Sequence, residues 1–299
     1  MPLQTLQNDY WQVGVVPETG SSTAFGRAWV GGQWHDLLRP TAEADYGNAS
    51  LCSSFIMLPW CNRLRDARFR YNGMDYQLEP SSGDGTAIHG TVRRLPWRVA
   101  SAESTRLVTT FHSIDYQAIN FPFMFSAQAE FRLDGVDFVM TLTLKNEDVQ
   151  PFPAGFGHHP YFVRDPENRV QVEIPCDSRF VLVNALASAA PVPVTPETDF
   201  RALRPLGTRV YEELLSGRLG DLAARIVYPQ VSLAMRADDL FRHLLLFAPE
   251  GKPFFAIEPM SNANDGFNLY DKQIEGSGVF ELSPGDSKSA TVILRIEGE

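Results

Sequence analysis

The sequence predicts an all-β chain folded as a large antiparallel β-sandwich. Three observations carry this. Long runs alternate apolar and polar residues with period two. Two compact hairpins have turn-forming pairs between alternating segments. Short strand-like runs recur between Gly, Pro, Asn and Asp clusters, with little helical periodicity. The chain has 299 residues, 44% hydrophobic and 21% charged, an ordinary globular composition. Sandwiches can reach roughly 200–250 residues as one domain. No repeat, low-complexity tract or composition break divides the chain, so residues 1–299 read as a single domain.

Taken in order, the first strand is expected at 11–16. The hairpin at 69–76 turns at Asn72-Gly73, a pair suited to positive φ at both positions. Its register sets Tyr71 opposite Met74 and Phe69 opposite Tyr76, giving one apolar face. A strand follows at 106–111. The second hairpin turns at Asp134-Gly135, with Phe131 and Leu133 expected opposite Phe138 and Val136. Alternation continues through Met140, Leu142 and Leu144, while Thr141 and Thr143 take the other face. Further strands are expected at 170–174, 180–183, 224–228, 231–236, 243–247, 254–257, 278–282 and 290–296. Residues 184–220 read as a long, proline-bearing connection, with a short helical turn at 211–215.

The formal net charge is −10, from 26 basic and 36 acidic residues without long blocks. Such a surface favours solubility and argues against nucleic acid or anionic membranes as partners. No apolar stretch is long enough to span a bilayer as a helix. Three cysteines, Cys52, Cys61 and Cys176, lack zinc spacing and read as free thiols in a reducing compartment. The start, MPLQTLQNDYWQVG, has no basic region followed by an apolar run, so a cytoplasmic protein is expected.

There is no Gly-rich phosphate loop and no Gly-x-Ser-x-Gly elbow. Acid–base chemistry, metal chemistry from scattered ligands, or binding alone remain open. Four segments concentrate polar chemistry: Pro59-Trp60-Cys61-Asn62-Arg63-Leu64-Arg65, Ile88-His89-Gly90, Gly155-Phe156-Gly157-His158-His159-Pro160-Tyr161-Phe162, and the stretch from Ala256-Ile257-Glu258-Pro259 to Asn268. Neighbours on a strand point to opposite faces, so one of His158 and His159 faces a cleft and the other is structural. Trp60 suits the core. His35, His112 and His243 read as surface or packing residues.

In these segments the chain resembles the aldose 1-epimerase (galactose mutarotase) family. The resemblance rests on Pro-Trp-x-Asn-Arg at 59–63, Ile-His-Gly at 88–90, His-Pro-Tyr-Phe at 159–162 and Glu-Pro at 258–259. Asn-Ala-Asn-Asp-x-Phe-Asn at 262–268 and Leu-Ser-Pro-Gly-Asp at 282–286 complete it. It implies a galactose-mutarotase-type supersandwich with an open sugar cleft and a small-molecule aldose as partner. Glu258 then resembles the general base at the anomeric hydroxyl and His159 the general acid at the ring oxygen. His89 is similar to the second histidine near the ring oxygen. Arg63, beside Asn62, is similar to the arginine that holds a sugar hydroxyl. The family's sugar-gripping aspartate has no match; the nearest segment is Tyr211-Glu212-Glu213-Leu214, where Glu212 is the candidate replacement.

The implied reaction interconverts the α and β anomers of free aldoses by ring opening, rotation about C1–C2 and reclosure. It needs one base and one acid, and no cofactor or metal is expected. The imidazole should titrate above the carboxylate by default, giving a bell-shaped pH profile that burial narrows. Two alternatives stand beside it. A hexose-6-phosphate epimerase would need a cationic pocket, for which Arg63, Arg65, Arg93 and Arg94 are available. A non-catalytic sugar-binding protein could use the same fold. The physiological sugar, oligomeric state and pathway are not legible.

Overall fold

The computed structural model describes residues 2–298. Two large antiparallel sheets face each other. One has twelve strands, ordered Gln4–Gln7, Trp11–Val16, Ser22–Val30, Gln33–Leu38, Tyr161–Val163, Phe254–Met260, His243–Ala248, Tyr211–Arg218, Cys176–Arg179 and Val192–Pro193, with Gly157–His158 and Ile56–Met57 joined at its middle. The other has nine, running from Arg98–Ala102 through Phe125–Asp134, Asp137–Asn146 and Ser287–Glu297 to Arg204–Pro205. This is the all-β sandwich expected.

Alternation along each strand decides what fills the space between the sheets. Phe131, Phe138, Leu142 and Leu294 come from the nine-stranded sheet, and Val13, Phe162, Leu244, Phe255 and Ile257 from the twelve-stranded one; all lie in one buried cluster. A second, smaller cluster sits on the far side of the twelve-stranded sheet. It contains Phe55, Met57, Tyr161, Leu214, Leu245, Ala256 and Met260. Thus both faces of the middle strands are covered, and on 254–260 the two sets of side chains alternate between clusters.

The hairpin at Arg68–Tyr71 and Met74–Gln77 has the expected pairs Phe69↔Tyr76 and Tyr71↔Met74. Asn72 and Gly73 have φ of 48° and 79°, as a two-residue primed turn requires. The second hairpin is corrected. Asp134 pairs with Asp137, Leu133 with Phe138 and Phe131 with Met140, so the turn is Gly135-Val136. The shift is two residues, which preserves facing, and Phe131, Leu133, Phe138 and Met140 stay in the core.

Residues 211–215 are not helical: Tyr211–Arg218 is an interior strand of the twelve-stranded sheet. Consecutive Leu214 and Leu215 are both buried because Leu214 enters the outer cluster and Leu215 the inner one. A strand covered on both faces loses its alternation. The expected connection at 184–220 therefore also contains Val192–Pro193 and Arg204–Pro205. The strand expected at 180–183 falls earlier, at Cys176–Arg179; the chain then turns through Asn184 and Ala185, both at positive φ, and Val183 only bridges Leu186. The α-helix, Gly266–Asp271, was not anticipated. Among the described residues no helix is long and apolar enough to cross a membrane.

Candidate active site

The candidate site lies on the outer face of the twelve-stranded sheet, and strand register builds it. Tyr161 pairs with Ala256 and Gly157 with Met260. Those two pairs straddle His159 and Glu258, so the histidine lies opposite the carboxylate. Pro160 has no N–H, and the pairing is interrupted there; the His159 N–H instead donates to the Phe55 carbonyl at 3.0 Å. On the other side Glu258 pairs with Leu245, and Leu245 with Leu214. Glu258 thus projects from the face that carries Ala256 and Met260, while Phe255 and Ile257 enter the sandwich core.

His159 Nε2 lies 3.0 Å from Glu258 Oε1. The approach is close, but neither Glu258 oxygen nor His159 Nδ1 has an aligned hydrogen-bond partner among the described residues. Glu258 is 0% and His159 5% exposed. Phe55 and Tyr161 pack against the imidazole, with ring centroids 4.5 and 4.4 Å away. His158 points the other way and packs toward Phe241, a residue of the inner core. Parity along the strand therefore separates the adjacent histidines as the sequence indicated.

His89 enters from a loop, its ring centroid 5.2 Å from that of His159. Its N–H donates to the Asn62 carbonyl at 2.8 Å, and both residues have positive φ, 61° and 52°. Non-glycine residues are held there only when their surroundings over-determine the backbone. Gly90 is part of that constraint: its φ is 68°, and a Cβ would stand 1.9 Å from the Leu58 carbonyl oxygen. His89 Nδ1 lies 2.9 Å from Met57 Sδ. A thioether accepts but cannot donate, which assigns the proton to Nδ1 and leaves Nε2 as the acceptor.

Arg63 pairs in register with Ile88, next to His89. Its Nε donates to Asp84 at 2.8 Å, and its Nη1 lies 3.8 Å from Glu212 Oε1. Asn62 is 1% exposed and its Oδ1 accepts from the Arg63 backbone N–H at 2.9 Å and from Nη1 at 3.4 Å, so its side chain orients the arginine. Glu212 pairs with Phe247, which pairs with Ala256, and so shares the Glu258 face. The six residues singled out from sequence, Glu258, His159, His89, Arg63, Asn62 and Glu212, are thereby brought together. Trp60 is fully buried. Arg65 is held by Asp265, its backbone N–H donating to Oδ1 at 2.9 Å and its Nε to Oδ2 at 3.1 Å. Phe55, Met57, Tyr161 and Arg39 had not been assigned to the site; Arg39 stacks on Tyr161 at 3.9 Å.

Burial sets the protonation. It pushes the Glu258 carboxyl well above its ordinary value, with Glu212 adding to the effect and Arg63 opposing it. Burial pushes the His159 imidazole down to about 3, and Arg93 and Arg39 act the same way. His89 is held well below its usual range by burial and then by His159 and nearby arginines. The default order, histidine above glutamate, is therefore inverted: a single proton shared by the pair sits on the carboxyl and leaves the imidazole neutral. Among the described residues no three His, Cys, Asp or Glu side chains are grouped as metal ligands.

Comparison with known proteins bears on the family and the fold. The family model described as aldose 1-epimerase matches residues 25–295. The uncharacterized protein YphB of Escherichia coli K12 is 28% identical over 283 residues, covering 90% of this chain and 92% of that one. Among solved structures, a galactose mutarotase-like protein from Clostridium acetobutylicum superimposes with a TM-score of 0.87 at 18% identity, covering 99% of this chain and 95% of that one. The GalM/aldose epimerase homologue from C. elegans gives 0.85 at 14% identity, with 99% and 98% covered. At such identities the structures speak for the fold alone, while the family model spans nearly the whole sequence: the chain belongs to the aldose 1-epimerase family.

Proposed function

We propose that this protein interconverts the α and β anomers of an aldose by acid–base ring opening and reclosure. The observation that supports it best is the buried pair, His159 Nε2 3.0 Å from Glu258 Oε1, beside a second histidine. In ring opening, ionised Glu258 takes the proton of the anomeric hydroxyl while protonated His159 delivers one to the ring oxygen. The C1–O5 bond breaks, an aldehyde forms, and the pair is left neutral. After rotation about C1–C2, the Glu258 carboxylic acid returns its proton to the carbonyl oxygen. Neutral His159 takes the proton of the C5 hydroxyl as the new C1–O5 bond closes. Both tautomers of a singly protonated pair are used in each cycle, and burial favours the one that closes the ring.

Arg63 and the acceptor Nε2 of His89 supply polar contacts for sugar hydroxyls, with Glu212 as a further acceptor. The three free, buried cysteines support a reducing compartment, the cytoplasm. The test is polarimetry with freshly dissolved α-glucose and α-galactose. Catalysed approach to the equilibrium rotation is expected; sugar binding without acceleration would make the protein a binding module instead.

A further inference from the structure

Positive charge around the acid–base pair is unevenly neutralised. Arg63 faces Asp84 and Glu212, and Arg65 faces Asp265. Arg39 and Arg93 have no such partner: among the described residues neither forms an ion pair, and no carboxylate figures among the charges acting on them. Aromatic faces and neutral oxygens hold them instead. The Arg39 guanidinium lies 3.9 Å from the Tyr161 centroid and 4.6 Å from that of Phe254. Its Nη2 donates to the Ser50 and Cys52 carbonyls, at 3.0 and 2.5 Å. Its Nε is buried without a partner. Arg93 is 6% exposed, lies 5.1 Å from the Phe55 centroid, and donates from Nη1 to Ser50 Oγ at 3.3 Å. Tyr161 and Phe55 are the two rings packed against His159.

Uncompensated buried cations are costly, and burial lowers Arg93 to about 10, still charged at neutral pH. Two of them stand beside one acid–base pair, in a chain with ten surplus negative charges. Their position is informative. Arg39 lies over Tyr161 and Arg93 over Phe55, the two rings packed against His159. The arginines therefore stand on the histidine side of the pair.

Resting on the epimerase reading, we infer that the preferred substrate carries an oxyanion on its C5 arm, a phosphate or a carboxylate, bound by Arg93 and Arg39. Glu258 takes the C1 hydroxyl and His159 the ring oxygen, so the side of His159 away from Glu258 is the C5 side. A guanidinium fork matches either oxyanion. The sequence pointed to an uncharged aldose; the unpaired arginines argue for a charged one.

The test compares initial anomerisation rates of glucose, galactose, glucose 6-phosphate and glucuronate. For at least one charged sugar, kcat/KM is expected to exceed that of glucose by roughly ten- to a hundredfold, chiefly through KM, the range of a charge-assisted hydrogen bond. The better of the two charged sugars identifies the oxyanion. Arg93→Gln should reduce that preference about tenfold or more, Arg39→Gln should do likewise, and Arg93→Lys should restore part of it. Equal or better turnover of the neutral sugars, or a preference that survives both glutamine variants, would overturn the inference and leave the epimerase reading standing. If no sugar is turned over, the epimerase reading falls. Calorimetric titration of glucose 6-phosphate and glucuronate against glucose then decides the charge question, tighter binding of a charged sugar supporting it and equal binding overturning it. If the variants do not fold, the wild-type KM for the charged sugar should rise with ionic strength while that for glucose does not, and a flat dependence refutes the proposal.

Discussion

Replacing Glu258 by glutamine separates the chemistry of the carboxylate from its structural role. The side chain is fully buried and neither oxygen accepts a hydrogen bond from the described residues. Glutamine has nearly the same shape and meets the same surroundings, so hydrogen bonding changes little and ionisation is what differs. Burial, with Glu212 second, holds the folded carboxyl well above 4.5, the value to which the unfolded chain returns it. The folded state therefore binds this proton more tightly. Its stabilising contribution is fully present below 4.5 and is lost as pH rises through the folded value. Within that window the wild type loses about 1.4 kcal/mol per pH unit that the variant does not lose. Glu258→Gln should thus be more stable than wild type at neutral pH, by a margin that grows with pH until the folded carboxyl ionises. Turnover should fall by about 10²–10⁴-fold, the usual contribution of a positioned base. The assays are urea unfolding across the pH range and polarimetry on the same samples. Near wild-type turnover would refute the base assignment. A variant less stable at every pH would show that Glu258 is held as an anion paired with protonated His159, and the burial argument would fail.

Catalysis needs one proton on the Glu258–His159 pair, so the rate should fall on both sides of a maximum, the acid limb marking protonation of His159 and the alkaline limb ionisation of Glu258; a profile with one limb would contradict the shared-proton cycle. His159→Ala should remove most turnover, whereas His158→Phe, which alters the inner core, should leave turnover largely intact. His158 is held near 3 by burial, against 6.5 ordinarily, so its stabilising contribution is present above 6.5 and lost as pH falls toward 3. His158→Phe should accordingly flatten the acid loss of stability in that window by up to about 1.4 kcal/mol per pH unit, as read by unfolding at several pH values. Asn262 Oδ1 accepts the Cys61 N–H at 2.8 Å, and its Nδ2 donates to the Ala263 carbonyl at 2.9 Å, all of it buried. Asn262→Ala should cost about 1–3 kcal/mol for the groups left unpaired, measured by denaturant unfolding.

Local signals were legible and non-local ones were not. The strand Trp11–Val16 and the 68–77 hairpin follow from alternation and from Asn72-Gly73, which act within a few residues. Tyr211–Arg218 was misread because its neighbours on both faces, from distant parts of the chain, erased its period. The site residues that motifs and parity mark, Glu258, His159, His89 and Arg63, converge. Phe55 and Arg39 gave no signal, since Phe55 meets His159, and Arg39 meets Tyr161, across more than a hundred residues. The protonation order was also hidden. It depends on burial depth, and neither 0% exposure at Glu258 nor 5% at His159 can be read from a motif.

The same register that makes the core makes the site, which is why an exposed-looking motif can be so deeply built in. On Phe254–Met260, Phe255 and Ile257 belong to the inter-sheet core and Ala256 and Met260 to the outer cluster, with Glu258 between them on that same face. A one-residue slip of this strand would place Glu258 between the sheets and turn two large apolar side chains out of the core. Each such side chain is worth about 1.5–3 kcal/mol when fully buried, so the core alone excludes the slip. On the facing segment the same logic commits His158 inward and His159 outward, with the His159 backbone fixed by the Phe55 carbonyl. The 3.0 Å approach of imidazole and carboxylate is therefore enforced by hydrophobic burial on the opposite face of the sheet. That leaves the polar face free to hold two unpaired charges and a carboxyl of raised pKa, at a cost the core sustains.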